Sequence, residues 1–274
     1  MKKYIYMISA MVMAMACAQK PIVIVQIADA QLGFDAAVKG SVPGAEYVND
    51  LTFEVECLKA TVAKVNELKP DMVVFSGDQV HLPYDKEQWD AFMHGIADID
   101  PSIDLYHIPG NHDHILKDGT ADPQDFIGRF GADRFVAKKK NVNVIGINTS
   151  LIYFNSALEQ DQMVWLEETL EATDAGDVTL IFGHHPFFCK NIDEEDSHVQ
   201  IAKSKRRQYF DYFKSKGVDA VFAGHLHDNA EGEYEGIPML TATSSGYQLG
   251  SGPASIRVIT IENGLMSQEL VPIN

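Results

Sequence analysis

The sequence lacks basic residues in proportion to its acidic ones. Lysine and arginine together number 22, aspartate and glutamate number 39, and the formal net charge at pH 7 is -17. A surface of this sign repels polyanions at long range. We therefore expect no general binding to nucleic acids or to anionic lipid headgroups. A compact anionic substrate is still allowed, because a bound metal ion reverses the field locally.

The sequence also lacks repeats, low-complexity stretches and any linker that would divide it. Hydrophobic residues make up 46% of the chain and charged residues 22%, a composition typical of a globular protein and not of a disordered one. A chain of this length buries a sizeable core. We therefore expect one domain over residues 22–274.

The amino-terminal segment resembles an export signal. Two lysines precede an apolar run within residues 1–16, and small residues stand at Ala14 and Ala16. This pattern predicts a bacterial secretory signal peptide, too short to remain as a membrane-spanning helix. Cys17 follows directly and resembles the cysteine of a lipobox, so we expect a lipoprotein of the bacterial cell envelope. Membrane contact would then occur only through the lipid anchor at Cys17, with the protein facing the periplasm. The alternative is a plain signal peptide cut nearby.

Cysteine is scarce, with three residues in the chain. Lipidation would use Cys17 and leave Cys57 and Cys189 in an oxidising compartment. These two thiols offer one disulfide, but Cys57 falls on the apolar side of a predicted helix, which favours a buried thiol.

Apolar runs of strand length alternate with segments of helical periodicity, and only strands follow Gly236. This order predicts an α/β layered sandwich. The expected strands cover 22–28, 71–76, 103–108, 142–149, 178–182, 219–223, 238–244, 255–261 and 264–271, and the expected helices cover 51–68, 86–99, 156–172 and 203–216.

Five of the expected strands run directly into polar side chains. In open α/β sheets the carboxyl ends of strands converge on the ligand site. Four of the five carry a glycine just before the polar group, which permits a sharp turn or a close backbone approach. The five ends are Asp29-Ala30-Gln31, Gly77-Asp78, PGNHD at 109–113, GHHP at 183–186 and GHLH at 224–227.

Each of these ends alone has a plain structural explanation. Gly-Asp after a strand is usually a turn, and His-x-His is compatible with alternation along a strand. Five such ends in order predict a metal site. Carboxylate, amide oxygen and imidazole without thiolate favour Mn, Fe or Zn in a catalytic site. Two such ions about 3.5–4 Å apart clamp a phosphoryl group and activate water.

The ordered motifs resemble those of the calcineurin-like metallophosphoesterases. They are GD at 77–78, GNHD at 110–113, GHHP at 183–186 and GHLH at 224–227, after a first motif at Asp29. The resemblance covers residues 22 to about 270. It implies a four-layer α/β/β/α sandwich of two mixed β-sheets flanked by helices.

The resemblance also implies a role for each motif residue. Two metal ions would share Asp78: the first ion would be bound by Asp29, Asp78 and His227, and the second by Asp78, Asn111, His184 and His225. His112 would stabilise the phosphate or protonate the leaving oxygen. Asp113 would orient His112.

Position 31 departs from the family pattern, in which the first motif is usually Asp-x-His. Gln31 offers a neutral oxygen, so it binds the first metal directly, binds it through water, or does not bind it. The same change occurs in a subgroup whose animal members are regarded as serine/threonine protein phosphatases. The features shared with that subgroup are DxQLG at 29–33, GDxxH at 77–81, NTS at 148–150, IDEED at 192–196 and QLG at 248–250.

Other residues lie close to these motifs in the sequence. His81 and His114 are candidates for contact with the substrate, or else solvated loop histidines. We expect His185 to pack against the site rather than bind a metal. The acidic run at 193–196 is either solvated surface or a gate to the pocket, and the basic residues at 203–207 are expected on an exposed helix face.

These observations predict a dinuclear metal-dependent phosphoesterase that acts with metal-activated water, with a phosphomonoesterase as the leading interpretation. The substrate would be a small phosphorylated molecule or a phosphoprotein. One alternative is a phosphodiesterase or nucleotidase acting on periplasmic nucleotides, cyclic ones included. Another, raised by Gln31, is a lipoprotein that binds metal or phosphate with little or no turnover.

Overall fold

The computed structural model describes residues 20–117 and 119–273. The predicted signal peptide over 1–16 and the predicted lipidation site Cys17 lie outside these residues. Within the described ranges, no helix combines the length and the apolar character needed to cross a bilayer.

Strands and helices alternate along most of the described chain. The strands are β1 Ile22–Ile27, β2 Met72–Ser76, β3 Asp104–Ile108, β4 Ile115–Lys117, β5 Thr120–Asp122, β6 Phe135–Lys139, β7 Val142–Gly146, β8 Val178–Phe182, β9 Ala220–Ala223, β10 Glu231–Tyr234, β11 Ile237–Thr241, β12 Ser255–Glu262 and β13 Leu265–Pro272. The helices are α1 Phe34–Gly40, α2 Thr52–Leu68, α3 Lys86–Ile96, α4 Gln124–Phe130, α5 Thr149–Tyr153, α6 Glu159–Glu171 and α7 Lys203–Ser215.

Two mixed sheets contain most of the strands. The first has the order β13-β12-β1-β2-β3, and the second β10-β11-β9-β8-β7-β6. β1, β2 and β3 run parallel to one another, as do β7, β8, β9 and β11, while the outer pairs are antiparallel. The parallel strands therefore deliver the loops after β1, β2, β3, β8 and β9 to corresponding edges of the two sheets.

Alternating side chains build the layers. Along β2, Met72 and Val74 face an apolar cluster between the two sheets, whereas Val73 and Phe75 face a second cluster beneath α2 and α3. A third cluster packs α6 and α7 on the outer face of the second sheet. A strand covered on both faces is apolar on both faces, as residues 72–75 of β2 are. The predicted four-layer α/β/β/α sandwich is confirmed.

The residues that cap α3 and α2 explain where these helices begin and end. α3 begins after Asp85, whose side chain accepts hydrogen bonds from the backbone N–H groups of Glu87 and Gln88. α2 ends at Leu68, because the following Lys69 has φ 49° in the left-handed region and Pro70 prevents continuation of the helix.

The structure differs from the sequence-based prediction in several short elements. The strand expected to reach position 149 ends at Gly146, because the Asn148 side chain accepts from the N–H of Ser150 and begins α5. The sequence predicted neither α1, which begins after Gly33 at φ 98°, nor α4, α5, the β4–β5 hairpin and the edge strands β6 and β10. These elements are three to seven residues long, too short to show clear periodicity.

Candidate metal centre

The candidate site lies where strand ends from the two sheets meet. His184, after β8, places its Nδ1 2.9 Å from the carbonyl oxygen of Ser76 at the end of β2. The backbone N–H of His225, after β9, donates to the carboxylate of Asp29, after β1, at 2.9 Å. These contacts connect the first sheet to the second at the edge that carries all five motifs.

One donor group, the Asp78 group, is formed by Asp78, His184 and His225, whose ligand atoms lie within 4.8 Å of one another. His184 Nε2 is 3.2 Å from Asp78 Oδ2 and 3.2 Å from His225 Nδ1. Asn111 Oδ1 lies 3.1 Å from the same nitrogen. Because the Ser76 carbonyl engages Nδ1 of His184, Nε2 is the nitrogen left for an ion.

The other donor group, the Asp29 group, surrounds Asp29. Its Oδ1 lies 3.5 Å from His227 Nε2, while Nδ1 of His227 contacts the carbonyl oxygen of Tyr247. Gln31 is 1% exposed, and among the described residues its Oε1 has no hydrogen-bond partner. Leaving a buried amide oxygen unpaired is costly, and a metal ion would satisfy it. These residues therefore fit the ion predicted for them.

The backbone is strained at five of the seven donor residues. Asp29, Gln31, Asp78, His225 and His227 all have positive φ, between 39° and 72°. Residues with a Cβ seldom adopt this left-handed conformation, and it concentrates at functional sites. The turns thus hold the donor side chains in positions that relaxed strand ends would not give them.

Asp78 and the neighbouring histidines shift each other's pKa values. Burial acts to raise the pKa of Asp78, but the positive charges of His184 and His112 outweigh it and hold that pKa well below its usual range. Burial acts to lower the pKa of His184, but Asp78 outweighs it and raises that pKa to about 9. Burial also raises the pKa of Asp29. A divalent cation would replace the proton on His184, because a metal-bound imidazole must be neutral.

His112 lies beside the Asp78 group. Its backbone N–H donates to Asp78 Oδ1 at 2.8 Å, and its Nδ1 lies 2.9 Å from the carbonyl oxygen of His81. The side chain also lines the cavity above the donor groups. The Nδ1–H therefore donates to the His81 carbonyl, and Nε2 is left for a substrate.

Asp113 is placed differently from the prediction that it orients His112. Its buried carboxylate accepts hydrogen bonds from the backbone N–H groups of Gly110, Gln79 and Val80. Burial and the charge of Asp78 raise the pKa of Asp113 to about 8. The carboxylate thus fastens the turn that carries Asn111 to the turn that carries Asp78, since a buried oxygen needs these partners.

Neither interpretation of His114, contact with substrate or a solvated loop position, fits the structure, because this residue is 2% exposed and is not among the residues that line the cavity. Its Nδ1 is 2.6 Å from the carbonyl oxygen of Gly110, and its Nε2 is 3.0 Å from Asn148 Nδ2, which also donates to Asp133. His114 therefore supports the turn at Gly110.

His81 lies beside two site residues and does not line the cavity. Its ring stacks on that of His112 at 4.7 Å, and its Nδ1 lies 3.5 Å from Gln31 Nε2. Burial and the charge of His112 lower the pKa of His81 to about 4. His185 is also buried, and its ring stacks on Tyr153 at 4.2 Å.

A cavity of about 340 Å³ opens above the two donor groups. Donor side chains line its floor together with His112 and His185, whereas Asp29 and His184 are fully buried and do not line it. The lining donors are Gln31, Asp78, Asn111, His225 and His227. The side chains of the cavity's rim were not singled out from the sequence as site residues, although the motifs NTS at 148–150 and QLG at 248–250 lie in or next to two of the rim segments. The rim residues are Phe34, Tyr153, Phe154, His198, Val199 and Leu249.

The loop between β8 and α7 forms part of this rim, but its acidic run does not. His198 and Val199 line the cavity. Asp196 and the carbonyl of Glu194 instead bind Arg206. The guanidinium of Arg206 is fully buried, so the prediction of an exposed basic face is wrong at this position. Buried arginine is retained because the loop supplies oxygen acceptors to it.

A family model described as calcineurin-like phosphoesterase matches residues 22–229. The chain belongs to this family. It is a metallophosphoesterase, a hydrolase that acts on phosphate esters, and enzymes of this family use a dinuclear metal centre.

A relative agrees with this assignment, and two solved structures share the fold. The chain is 31% identical over 261 residues to the serine/threonine-protein phosphatase CPPED1 of Danio rerio, covering 90% of this chain and 83% of the relative. Its fold is similar to purple acid phosphatase PPD1 from yellow lupin, Lupinus luteus (TM-score 0.69, 14% identity, 93% of this chain and 52% of the other). It is also similar to a dimetal phosphatase from Danio rerio (TM-score 0.59, 15% identity, 93% and 100%).

Gly110 offers a test of how tightly the two turns must pack. A Cβ added there would lie 2.5 Å from the backbone nitrogen of Asp78 and closer still to its carboxylate. We expect Gly110→Ala to weaken metal binding by about tenfold or more, because supporting contacts of ligands typically contribute that much. Metal affinity measured by titration calorimetry checks this.

The matched control is Gly128→Ala. An added Cβ at Gly128, within α4, would meet no atom within 4 Å, so metal affinity should equal that of the parent. Unchanged affinity in Gly110→Ala would contradict the tight packing of the turns around Asp78.

Proposed function

We propose that the protein is a dinuclear metal-dependent phosphomonoesterase. The observation that carries the proposal is that two donor groups each contribute side chains to the floor of one cavity, Asp78, Asn111 and His225 from one group and His227 from the other. Asp78, with Asn111, His184 and His225, forms one group, and Asp29 with His227 forms the other. The 31% sequence identity to a relative named as a serine/threonine-protein phosphatase supports a phosphate monoester as the substrate, either a small phosphorylated molecule or a phosphoprotein.

The donor set supports Mn, Fe or Zn, since it combines carboxylate, amide and imidazole groups. Two such ions would polarise the phosphoryl oxygens and acidify a bound water molecule. Gln31 would add its buried Oε1 to the Asp29 group. Asp78 would be the shared side chain that the family resemblance implies, and its Oδ2 lies 3.2 Å from His184 Nε2.

His112 would supply the proton that the leaving oxygen needs. Its Nδ1–H is fixed by the His81 carbonyl at 2.9 Å, which leaves Nε2 to carry a proton toward the substrate. The hydrogen bond from its backbone to Asp78 fixes the turn relative to the metal ligands. A positioned general acid of this kind contributes about 10²–10⁴ to the rate.

The test is hydrolysis of p-nitrophenyl phosphate and of bis(p-nitrophenyl) phosphate by metal-stripped protein with Mn added back. We expect turnover of the monoester to depend on the metal and to exceed that of the diester. His112→Asn should lower kcat by about 10²-fold or more with metal content unchanged. His94→Asn, at an exposed position on α3, is the control and should keep full activity.

Two results would contradict this proposal. Metal-loaded protein that hydrolyses neither ester would leave the binding protein without turnover as the better description. A diester turned over faster than the monoester would favour the phosphodiesterase.

We also propose that the protein is exported and anchored by lipid at Cys17. The support is the sequence pattern of residues 1–17 alone. In a bacterial host, the full chain should fractionate with membranes, and Cys17→Ser should move it to the soluble fraction. Cys57→Ser, which changes a half-buried cysteine of α2, should leave fractionation unchanged. A Cys17→Ser protein that stays with membranes would contradict the anchor.

A further inference from the structure

The rim of the cavity differs in chemistry from its floor. The floor carries carboxylate, amide and imidazole groups. Of the six rim residues, Phe34, Phe154, Val199 and Leu249 have wholly apolar side chains, and the other two are Tyr153 and His198. The donor groups of the floor have the chemistry that holds metal and phosphate. The rim is therefore the part that contacts whatever group is esterified to the phosphate.

Positive charge is missing from this rim. Among the residues that the structure describes, no lysine or arginine lines the cavity. Lys205 contacts the Ile152 carbonyl and pairs with Glu159, and Lys39 pairs with Asp35. A second phosphate group on the substrate would therefore meet no cationic partner, in a chain whose net charge is -17. This disfavours nucleoside polyphosphates and other multiply charged substrates.

Aromatic rings stand beside both donor groups. The Phe34 ring lies 5.2 Å from that of His227, and the Tyr153 ring lies 6.5 Å from that of His225. Tyr153 is held in place by its stacking on His185 and by its hydroxyl, which donates to the His198 carbonyl at 2.7 Å. Rings fixed in this way contact another aromatic ring at little entropic cost.

We infer that the preferred substrate is a monophosphate ester of an aromatic alcohol, such as phenyl phosphate or phosphotyrosine. This inference rests on the proposed phosphomonoesterase function and adds the chemical class of the alcohol. The single phosphate would meet the floor, and the aromatic ring would meet Phe34 and Tyr153.

The test compares the binding of benzylphosphonate and propylphosphonate to Mn-loaded protein by titration calorimetry. Both carry the same phosphonate group, so the metal contribution cancels in the ratio of their Kd values. We expect benzylphosphonate to bind about tenfold more tightly, the effect of favourable ring contacts. Equal affinities would overturn the inference. Because calorimetry needs no turnover, failure of the phosphoesterase proposal would show separately, as absent hydrolysis with binding intact.

Variants locate the preference on the rim. Phe34→Leu and Tyr153→Leu should each lower the affinity ratio about threefold or more, whereas Tyr153→Phe retains the ring and should retain the ratio. Tyr84→Leu, at a 74% exposed tyrosine that does not line the cavity, is the control and should behave like the parent. An unchanged ratio in both leucine variants would overturn the assignment.

The same aromatic group occurs in free metabolites and in protein side chains, so both sources are compared. O-phosphotyrosine, free and within a pentapeptide, is measured against the corresponding phosphoserine forms. A lower KM for the tyrosine form in either pair supports the inference. No preference in either pair contradicts it.

Discussion

The structure depends on the burial of two carboxylates, Asp29 and Asp78, which are 0% and 1% exposed. Among the described residues, no lysine or arginine pairs with either of them, and their charged neighbours are histidines. Desolvating a carboxylate costs several kcal/mol unless an opposite charge compensates it. In the protein alone, the proton on His184 compensates one of the two. The remaining imbalance is what a pair of divalent ions would correct.

Several features of the fold follow from this constraint. The two carboxylates can approach because β1 and β2 are adjacent and parallel, and the N–H of Asp29 donates to the carbonyl of Gly77 at 3.1 Å. Glycine precedes the ligands because there is no room for a larger residue. A Cβ added at Gly224 would lie 2.7 Å from Asp29 Oδ2. The positive φ values of the donor residues are the conformational cost of the same convergence.

Much of the donor set was predictable from the sequence because each motif is local. An apolar strand followed by glycine and a polar residue appears within about eight positions, and parallel strands bring such ends together. The role of Asp113 was not predictable, because its partners at Gln79 and Val80 belong to another turn. The burial of Arg206 depends likewise on acceptors from a loop that folds back over it. The rim was missed because Phe34 and Tyr153 come from short helices whose sequences resemble ordinary core segments.

The net charge of -17 is consistent with phosphate chemistry once the site is metal-bound, because local positive charge then acts at short range while the surface still repels polyanions. If the two donor groups hold two ions, elemental analysis of protein loaded with Mn and then desalted should find two ions per chain in the parent protein. Asp78→Asn, which changes the side chain proposed to be shared, should lose both ions. One ion or fewer in the parent would show that the two donor groups do not form a dinuclear site.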